Sequence, residues 1–286
     1  MLRRYISYTT NKFTNCRHVS QSMLQSTVDE KSGIATVTMN KPPVNSLNLE
    51  FLEEIITLLN KLQKDKVRGM ILTSGLQKVF CAGLDIKELY KPNPDRLTKF
   101  WTTLQDTWLS LYTTSFPTVS VINGHSPAGG CMLAMSCDYR VMVGQNYRIG
   151  FNEAKLGIFA PKWFQNTIIA VIGQRKAEVS LTTGKMYTTD EALQIGLVDE
   201  TCADADSALK KGTHFLNNFQ NISPWAYKMT KDINRQSTIQ WLIDNKQKDV
   251  DFTVEYMQSP GVQKNLELYL QSLKSLPPLK LISEIN

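Results

Sequence analysis

Strand and helix signals alternate along this chain up to about residue 205 and are purely helical afterwards, and this order limits the possible folds more than any other feature. Four short segments are apolar and rich in β-branched residues, as buried strands are: "IATVTM" (34–39), "RGMILTS" (68–74), "PTVSVING" (117–124) and "YRVMV" (139–143). Strands that are separated by helices pair in parallel. The order therefore predicts an α/β domain whose strands are buried by crossover helices.

The helices between these strands are predicted from the spacing of apolar residues. The stretch "LEFLEEIITLLNKLQ" (49–63) has helical spacing, and Asn48 is available as its N-cap. A longer helix is expected roughly from Pro94 to Thr113. A third helix should follow the glycine pair of "PAGGCMLAMSCD" (127–138).

The C-terminal part of the chain, residues 206–286, is predicted to be a separate helical region. Its helical segments are "ALKKGTHFLNNF", "PWAYKMTKDIN", "TIQWLIDNKQKDVDFTVEYMQ" and "GVQKNLELYLQSLKSL". In the last of them, apolar residues at helical spacing form a stripe on one face. Such a region either covers the α/β core of residues 29–205 or packs against a neighbouring subunit.

The first 28 residues have the composition of a mitochondrial transit peptide. They contain Arg3, Arg4, Lys12 and Arg17, many Ser and Thr residues, and no acid. A plain basic tail is the alternative. These four cations leave a net charge of only +2 for the remainder of a chain whose total is +6, so its composition gives no support for nucleic-acid binding.

The remaining composition is that of an ordinary globular protein and excludes other classes. No apolar run approaches the roughly 18 residues of a membrane-spanning helix. The five cysteines show no paired metal-binding spacing, and their odd number without a secretory leader indicates reduced thiols. We therefore expect no metal site and no membrane span.

One carboxylate, Glu153, stands in the otherwise mostly apolar stretch "GFNEAKLGIFAP" (150–161). An ionised and unpaired carboxylate in apolar surroundings is costly. Glu153 is therefore a surface acid, a structural hydrogen-bonding group, or a base that works in a pocket.

Two loops that contain glycine follow predicted strands: "CAGLDI" (81–86) and "PAGGCM" (127–132). Glycine allows backbone N–H groups to turn outward and a ligand to approach closely. Neither loop matches a phosphate-binding pattern. Two such loops could form an oxyanion hole with two N–H donors, although close packing of a helix on a strand explains a glycine pair equally well.

The order of several motifs gives these features a context. The segments "PPVNSLNLEFL", "VFCAGLDI", "PAGGCMLAMSCDYR", "FNEAKLGIFAP" and "EALQIGLVDE" appear in the order and spacing of the enoyl-CoA hydratase/isomerase (crotonase) superfamily. The sequence resembles this family from about residue 27 to about residue 275, and within it the mitochondrial Δ3-Δ2-enoyl-CoA isomerases. The resemblance implies a spiral of repeated β-β-α units followed by a C-terminal helical region that assembles a homotrimer.

The resemblance also implies roles for individual residues. The thioester carbonyl of an acyl-CoA substrate would lie between the backbone N–H groups of Leu84 and Gly129. The groove for CoA would be lined by Ala82, Gly83, Leu84, Asp85 and Ile86, together with Gly129. CoA is part of the substrate, so no separate cofactor is expected. The implied location is the mitochondrial matrix.

Position 132 distinguishes between reactions within the family. Hydratases of this family resemble one another in having two acids, one in the helix after the glycine pair and one equivalent to Glu153. Here the first position is Met132, which cannot activate water. The sequence therefore predicts an isomerase in which Glu153 is the only acid/base. The alternatives are a hydratase-like lyase and a non-catalytic protein of this fold that binds acyl-CoA or RNA.

Five further residues near these motifs have two possible interpretations each. Asn152 either supports the turn or serves as a second polar group, and His125 is either a loop residue or part of the site. Lys87 either meets a CoA phosphate or is solvated. Trp163 and Phe164 either form a wall of the acyl pocket or pack in the core.

Overall fold

A computed structural model describes residues 22–144 and 146–275 of the chain. The strands belong to two sheets. The larger sheet has six strands, which are β1 (Leu24–Val28), β2 (Ile34–Met39), β3 (Gly69–Ser74), β5 (Thr118–Ile122), β7 (Tyr139–Val143) and β10 (Glu200–Cys202). The smaller sheet has four, which are β4 (Lys78–Val79), β6 (Gly124–Pro127), β8 (Arg148–Gly150) and β9 (Tyr187–Thr188).

The two sheets are built from successive strand pairs. The order in the larger sheet is β1-β2-β3-β5-β7-β10, and all its pairs are parallel except β1 with β2. In the smaller sheet, the order is β4-β6-β8-β9. Each of β3, β5 and β7 is followed by a short strand of the smaller sheet and then by helix. This repeat confirms the predicted spiral of β-β-α units.

The helices connect these strand pairs and then complete the chain. They are α1 (Leu49–Lys64), α2 (Ile86–Leu89), α3 (Pro94–Tyr112), α4 (Gly129–Ser136), α5 (Lys162–Ile172), α6 (Gln174–Thr183), α7 (Thr189–Ile195), α8 (Ala205–Asn217), α9 (Pro224–Gln258) and α10 (Pro260–Ser275). As predicted, Asn48 caps α1, because its side chain accepts a hydrogen bond from the Phe51 backbone N–H.

The hydrophobic core lies on both faces of the six-stranded sheet. The larger cluster contains the fully buried side chains of Phe51, Trp108 and Trp163. A smaller cluster on the opposite face includes Val119 and Leu216, through which α8 packs on the sheet. The helical region after residue 205 thus covers the core, which is one of the two roles predicted for it.

A buried group of charges fixes α9 to the rest of the molecule. The carboxylate of Asp138, next to β7, accepts hydrogen bonds from Lys231 at 3.1 Å and from Arg235 at 2.9 Å. Tyr227 also donates to it, at 2.7 Å. Burial lowers the pKa of Lys231 to about 8, although the Asp138 charge opposes this shift. Because each charge has a partner, the long helix is held in one position.

Two details differ from the sequence-based expectations. The segments expected as separate helices at 224–234 and 238–258 form the single helix α9, because no proline or glycine interrupts them. In addition, β1 falls inside the stretch 1–28 that was assigned to the leader, and it pairs with β2 over all five of its residues. Residues 1–21 of that leader lie outside the described part of the chain.

Candidate active site

A cleft of about 260 Å³ lies where the loops after β2, β4 and β6 approach the turn after β8. Helix α10 closes one side of it. Because the cleft contains both glycine loops and Glu153, it is the candidate active site. Its lining residues are Pro43, Val44, Ser46, Ala82, Leu84, Asp85, Ile86, Lys87, Leu89, Ala128, Asn152, Glu153, Leu156, Ile158, Tyr269 and Leu273.

Glu153 begins a short 3₁₀ turn (Glu153–Leu156) that follows β8. Gly157 ends this turn in the left-handed conformation, with a φ of 71°. Glu153 is only 6% exposed, and this small exposed part lines the cleft. Within the described residues, its Oε2 atom has no hydrogen-bond partner.

Burial raises the pKa of Glu153 to about 8, while a hydrogen bond from its own backbone N–H partly opposes the shift. A carboxyl group with such a pKa can exchange a proton near neutral pH. This is the property required of a general acid/base. A surface acid would not be buried in this way, and a hydrogen-bonded structural acid would not have an unpaired oxygen.

The backbone N–H of Leu84 is directed away from its neighbouring strand. Leu84 and Leu47 form an isolated parallel bridge, in which Leu47 N–H donates to Gly83 O and Asp85 N–H donates to Leu47 O. In this pattern the N–H of Leu84 itself is not used. None of the described residues accepts a hydrogen bond from it.

The second backbone donor, Gly129 N–H, is at the first residue of α4, where the N–H groups of a helix have no partner in the helix. The residue before it, Ala128, has the unusual φ of 48°. This strained conformation turns the chain sharply from β6 into α4. Ala128 N–H donates to Gly150 O at 2.8 Å, which ties the turn to the end of β8.

The two turns are in direct contact with each other. A Cβ atom on Gly129 would lie 3.2 Å from the side chain of Leu84 and 3.3 Å from the Cα atom of Gly83. A Cβ atom on Gly130 would lie 2.2 Å from Cys81 O, so only glycine fits there. The glycine pair therefore serves close packing, and the same packing holds the turn of Gly129 against the turn of Leu84, which lines the cleft.

The other carboxylate in the cleft, Asp85, already has partners. It is the N-cap of α2, since it accepts hydrogen bonds from Lys87 N–H at 3.1 Å and from Ser46 Oγ at 3.0 Å. Lys41 Nζ lies 3.8 Å from it. Partial burial lowers the pKa of Lys41, and the Asp85 charge acts in the opposite direction. Glu153 is thus the carboxylate of the cleft that is not engaged in structure.

Helix α10 contributes two side chains that the sequence did not single out for the site, Tyr269 and Leu273. Tyr269 belongs to the apolar stripe of the last helix, but the stripe alone does not reveal which surface it covers. Asn265, on the same helix, donates a hydrogen bond to Gly157 O at 3.3 Å. Helix α10 therefore contacts the turn that carries Glu153.

The structure places most of the predicted site residues at this cleft. Ala82, Leu84, Asp85 and Ile86 line it, as do Lys87 and Asn152, while Gly83 and Gly129 are packed against each other beside Ala128. Met132, His125, Trp163 and Phe164 are not among the lining residues. Trp163 and Phe164 pack in the core, with ring centroids 4.4 Å apart, and His125 packs against Tyr147.

Other sites of chemistry are few in the part of the chain that the structure describes. Residues 22–144 and 146–275 include no group of three or more His, Cys, Asp or Glu side chains that could hold a metal ion. No helix among them is both long enough and apolar enough to cross a membrane. A larger cavity, of about 640 Å³, lies between the end of α1 and the start of α9 and has no carboxylate in its lining.

The chain matches known proteins along most of its length. A family model described as enoyl-CoA hydratase/isomerase matches residues 29–276. The mitochondrial enoyl-CoA delta isomerase 1 of Mus musculus is 41% identical over 245 residues, which are 85% of this chain and 84% of the relative. The corresponding protein of Homo sapiens is 39% identical over 248 residues, or 86% of this chain and 82% of the relative.

The fold matches a solved structure equally well. The crystal structure of human mitochondrial delta3-delta2-enoyl-CoA isomerase superposes with a TM-score of 0.86 and is 38% identical in sequence. The match covers 88% of this chain and 98% of that one.

Proposed function

Because the chain belongs to the enoyl-CoA hydratase/isomerase family, we propose that it is an isomerase that converts 3-cis- or 3-trans-enoyl-CoA thioesters to 2-trans-enoyl-CoA. The family resemblance of the sequence is thus confirmed. The activity is supported by the names of the mouse and human relatives. It is also the activity of the human protein whose structure matches this fold.

The observation that carries the proposal is the buried, unpaired carboxylate of Glu153 in a cleft that is also lined by Leu84 and by Ala128, the residue before Gly129. Moving a double bond from C3=C4 to C2=C3 is a 1,3-proton shift. Glu153, ionised, removes a proton from C2, and the electron pair moves through the double bond and the thioester carbonyl to give a dienolate. The protonated Glu153 then returns the proton at C4. One acid/base is sufficient for both steps.

Leu84 N–H and Gly129 N–H would hold the thioester oxygen while it carries the negative charge. Each such donor typically contributes about 2.7–4 kcal/mol to the stability of a transition state. Because both donors belong to the backbone, the side chain at position 84 is free to vary. The groove for CoA would include Ala82, Gly83, Leu84, Asp85, Ile86 and Gly129.

The reaction needs no water and, we propose, no cofactor apart from the CoA of the substrate. Met132 occupies the position of the second acid of hydratases and is fully buried. A thioether cannot activate or hold a water molecule for attack on the double bond. This absence of a second acid favours the isomerase over a hydratase-like lyase.

The direct test follows the reaction of the purified protein with each of two substrates by ultraviolet absorbance. The 2-enoyl product is conjugated with the thioester, so ultraviolet absorbance should rise with 3-hexenoyl-CoA and stay constant with crotonyl-CoA. A fall in absorbance with crotonyl-CoA as the faster reaction would indicate a hydratase. Binding of both thioesters without any reaction would instead indicate a non-catalytic acyl-CoA-binding protein.

We also propose that the chain works in the mitochondrial matrix, after removal of a leader. The mouse and human relatives are named as mitochondrial. Strand β1 begins at Leu24 and pairs with β2. Removal of the leader leaves this strand intact only if the leader ends before Leu24 rather than at residue 28. Mass spectrometry of the protein from mitochondria should show a new N-terminus near residues 20–24, and an intact Met1 would contradict this.

The assembly that we propose is a homotrimer in which the C-terminal helical region takes part. Two apolar side chains at the exposed surface of α9 support a subunit contact, Trp225 at 73% and Ile233 at 65% exposure. Trp225 also lines the larger cavity. Light scattering of residues 22–286 should give the mass of a trimer, whereas a monomer at micromolar concentration would contradict the proposal.

A further inference from the structure

Asn45, in the motif "PPVNSLN", is a buried polar residue that the proposed reaction does not use. Its side chain is completely buried, and its backbone has the left-handed φ of 52°. Asn tolerates this conformation better than most residues, which explains the residue type in part. A buried amide must also have its donors and acceptor satisfied, so its partners reveal what it holds together.

The hydrogen bonds of the Asn45 side chain connect three segments. Its Nδ2 atom donates to Ser74 Oγ at 2.8 Å, at the end of β3, and to Phe80 O at 2.9 Å, in the loop after β4. Its Oδ1 atom accepts from Lys41 N–H at 2.8 Å. In addition, the Cys81 thiol donates to Asn45 O at 3.1 Å.

The residues on either side of Asn45 hold the segment that presents Leu84 N–H. Ala82 N–H donates to Val44 O at 3.0 Å, and Leu47 N–H donates to Gly83 O at 2.8 Å. The next bond runs from Asp85 N–H to Leu47 O at 2.9 Å. Residues 44–47 are therefore a strip that runs beside residues 82–85 and fixes the direction of the Leu84 N–H.

The position of the other donor, Gly129 N–H, depends on the loop of residues 80 and 81, to which Asn45 is bonded. Phe80 N–H and Cys81 N–H both donate to His125 O, in the strand β6 that leads to Gly129. Gly130, at the start of α4, also packs tightly against Cys81 O in this loop. The Asn45 side chain thus links the strip that carries one oxyanion donor to the loop that locates the other.

We propose that Asn45 is a positioning residue that sets the Leu84 N–H relative to the Gly129 N–H, an inference that rests on the proposed isomerase function. Two donors stabilise an oxyanion only if both lie within hydrogen-bonding distance of the same oxygen. Misplacement by about 1 Å can reduce a rate roughly 10²-fold. Loss of the Asn45 bonds should therefore impair the transition state more than it impairs binding of CoA.

The test compares Asn45→Asp with Asn123→Asp. Asn45→Asp keeps the shape but removes both Nδ2 donors. Asn123 is the matched control, because its amide also bonds Ser74, donating to Ser74 O at 2.7 Å, and the hydrogen bonds of its side chain within the described residues go to Ser74 and not to residues 80–85. If Asn45→Asp does not fold, Asn45→Gly replaces it, since glycine adopts the left-handed conformation without strain.

We expect kcat of the Asn45 variant with 3-hexenoyl-CoA to fall roughly 10- to 100-fold. KM and the affinity for free CoA should change less than about threefold, and Asn123→Asp should keep kcat within about threefold of the wild type. Acetoacetyl-CoA provides a spectroscopic readout, because the ultraviolet band of its enolate, formed when Glu153 removes the C2 proton, reports binding at the two N–H groups. This band should weaken only in the Asn45 variant.

Three outcomes would overturn the role of Asn45. One is a variant with wild-type kcat, and another is an equal loss of activity and melting temperature in the Asn45 and Asn123 variants. The third is failure of both Asn45 variants to fold, which would make Asn45 a folding residue. Wild-type protein that forms the enolate band but lacks isomerase activity would contradict the proposed function instead, and the band would still decide the role of Asn45.

Discussion

Gly83 and Gly129 approach so closely that a Cβ atom on Gly83 would lie 3.1 Å from the backbone nitrogen of Gly129. The glycines come from loops that are more than 40 residues apart in sequence, after β4 and β6. Gly129 carries one proposed oxyanion donor, and Gly83 directly precedes Leu84, which carries the other. This contact limits how closely the two proposed oxyanion donors approach each other, while the hydrogen bonds of the Asn45 side chain hold the segment that carries Leu84.

This contact predicts that Gly129→Ala lowers activity selectively. The new methyl group would lie 3.1 Å from the Leu47 side chain, 3.2 Å from the Leu84 side chain and 3.3 Å from the Cα atom of Gly83, so these neighbours must shift by a few tenths of an ångström. We expect kcat to fall roughly 10- to 100-fold with a much smaller change in KM. Steady-state kinetics with 3-hexenoyl-CoA measures both.

Gly261→Ala is the control for this substitution. Gly261 lies in α10, and nothing is within 4 Å of its added methyl group. Activity and stability should remain at least at the wild-type level, because alanine favours a helix. A Gly129→Ala enzyme with more than half of the wild-type kcat would show that the separation of the two turns does not limit the reaction.

The elements that were predicted well are those specified by local patterns. The strand 34–39 and the helix from Leu49 are determined by residues within one segment, and the structure has them within a residue or two of the expected bounds. The placement of Glu153, Leu84 and the glycine pair at one cleft was available only from the family resemblance. The spacing of residues within each loop does not determine the distance between loops.

The parts that the sequence did not predict depend on long-range packing. The strand β1 exists because its backbone completes the edge of the sheet, and "LQSTV" has only one buried side chain to indicate this. Tyr269 and Leu273 reach the cleft because α9 turns α10 back over the site. No periodicity within α10 contains that information.

Glu153→Gln should remove the base and leave the rest of the site intact. Glutamine has the same size but cannot take the proton from C2 or return it at C4. We expect kcat to fall by at least about 10²-fold and by up to about 10⁴-fold, with KM nearly unchanged. Glu178→Gln, an exposed substitution of the same kind on α6, should behave as the wild type.

A residual activity of Glu153→Gln above about a tenth of the wild-type kcat would contradict the single-base mechanism. The other carboxylate that lines the cleft, Asp85, is occupied as the N-cap of α2. Kinetics of the double variant Glu153→Gln/Asp85→Asn would then show whether Asp85 replaces the missing base.

Met132→Glu should introduce a weak hydratase activity. The substitution restores the second acid that hydratases of the family have. Met132 is fully buried, however, so the new carboxyl group would lie in the core. We expect slow consumption of crotonyl-CoA, because positioning must be accurate to about 0.5 Å for efficient catalysis. The melting temperature should fall, since a buried carboxyl without a designed partner is destabilising.

Met132→Gln is the control for the acid itself. It has a similar size and polarity but cannot act as a base, so it should not hydrate crotonyl-CoA. Equal hydration by both variants would show that the activity arises from altered packing. Hydration by the wild type at a rate similar to its isomerisation would contradict the assignment of Glu153 as the only acid/base.

The raised pKa of Glu153 predicts that Glu153→Gln is stabilising at high pH. In the unfolded chain the carboxyl ionises near its ordinary value of 4.5, whereas burial raises the pKa in the folded state to about 8. Between these values the unfolded state releases its proton and the folded state keeps it. The free energy of unfolding of the wild type therefore decreases as the pH rises from about 4.5 to about 8 and changes no further, from this group, above about 8.

Glutamine does not titrate, so the variant lacks this pH-dependent loss. The stability difference between Glu153→Gln and the wild type should be small at pH 5 and should grow to roughly 3–5 kcal/mol at pH 9 in favour of the variant. Urea unfolding at pH 5, 7 and 9 measures it, and Glu178→Gln corrects for general effects of charge. A difference that is the same at all three pH values would mean that Glu153 is already ionised in the folded protein at pH 5, which is incompatible with a buried carboxyl that lacks a partner.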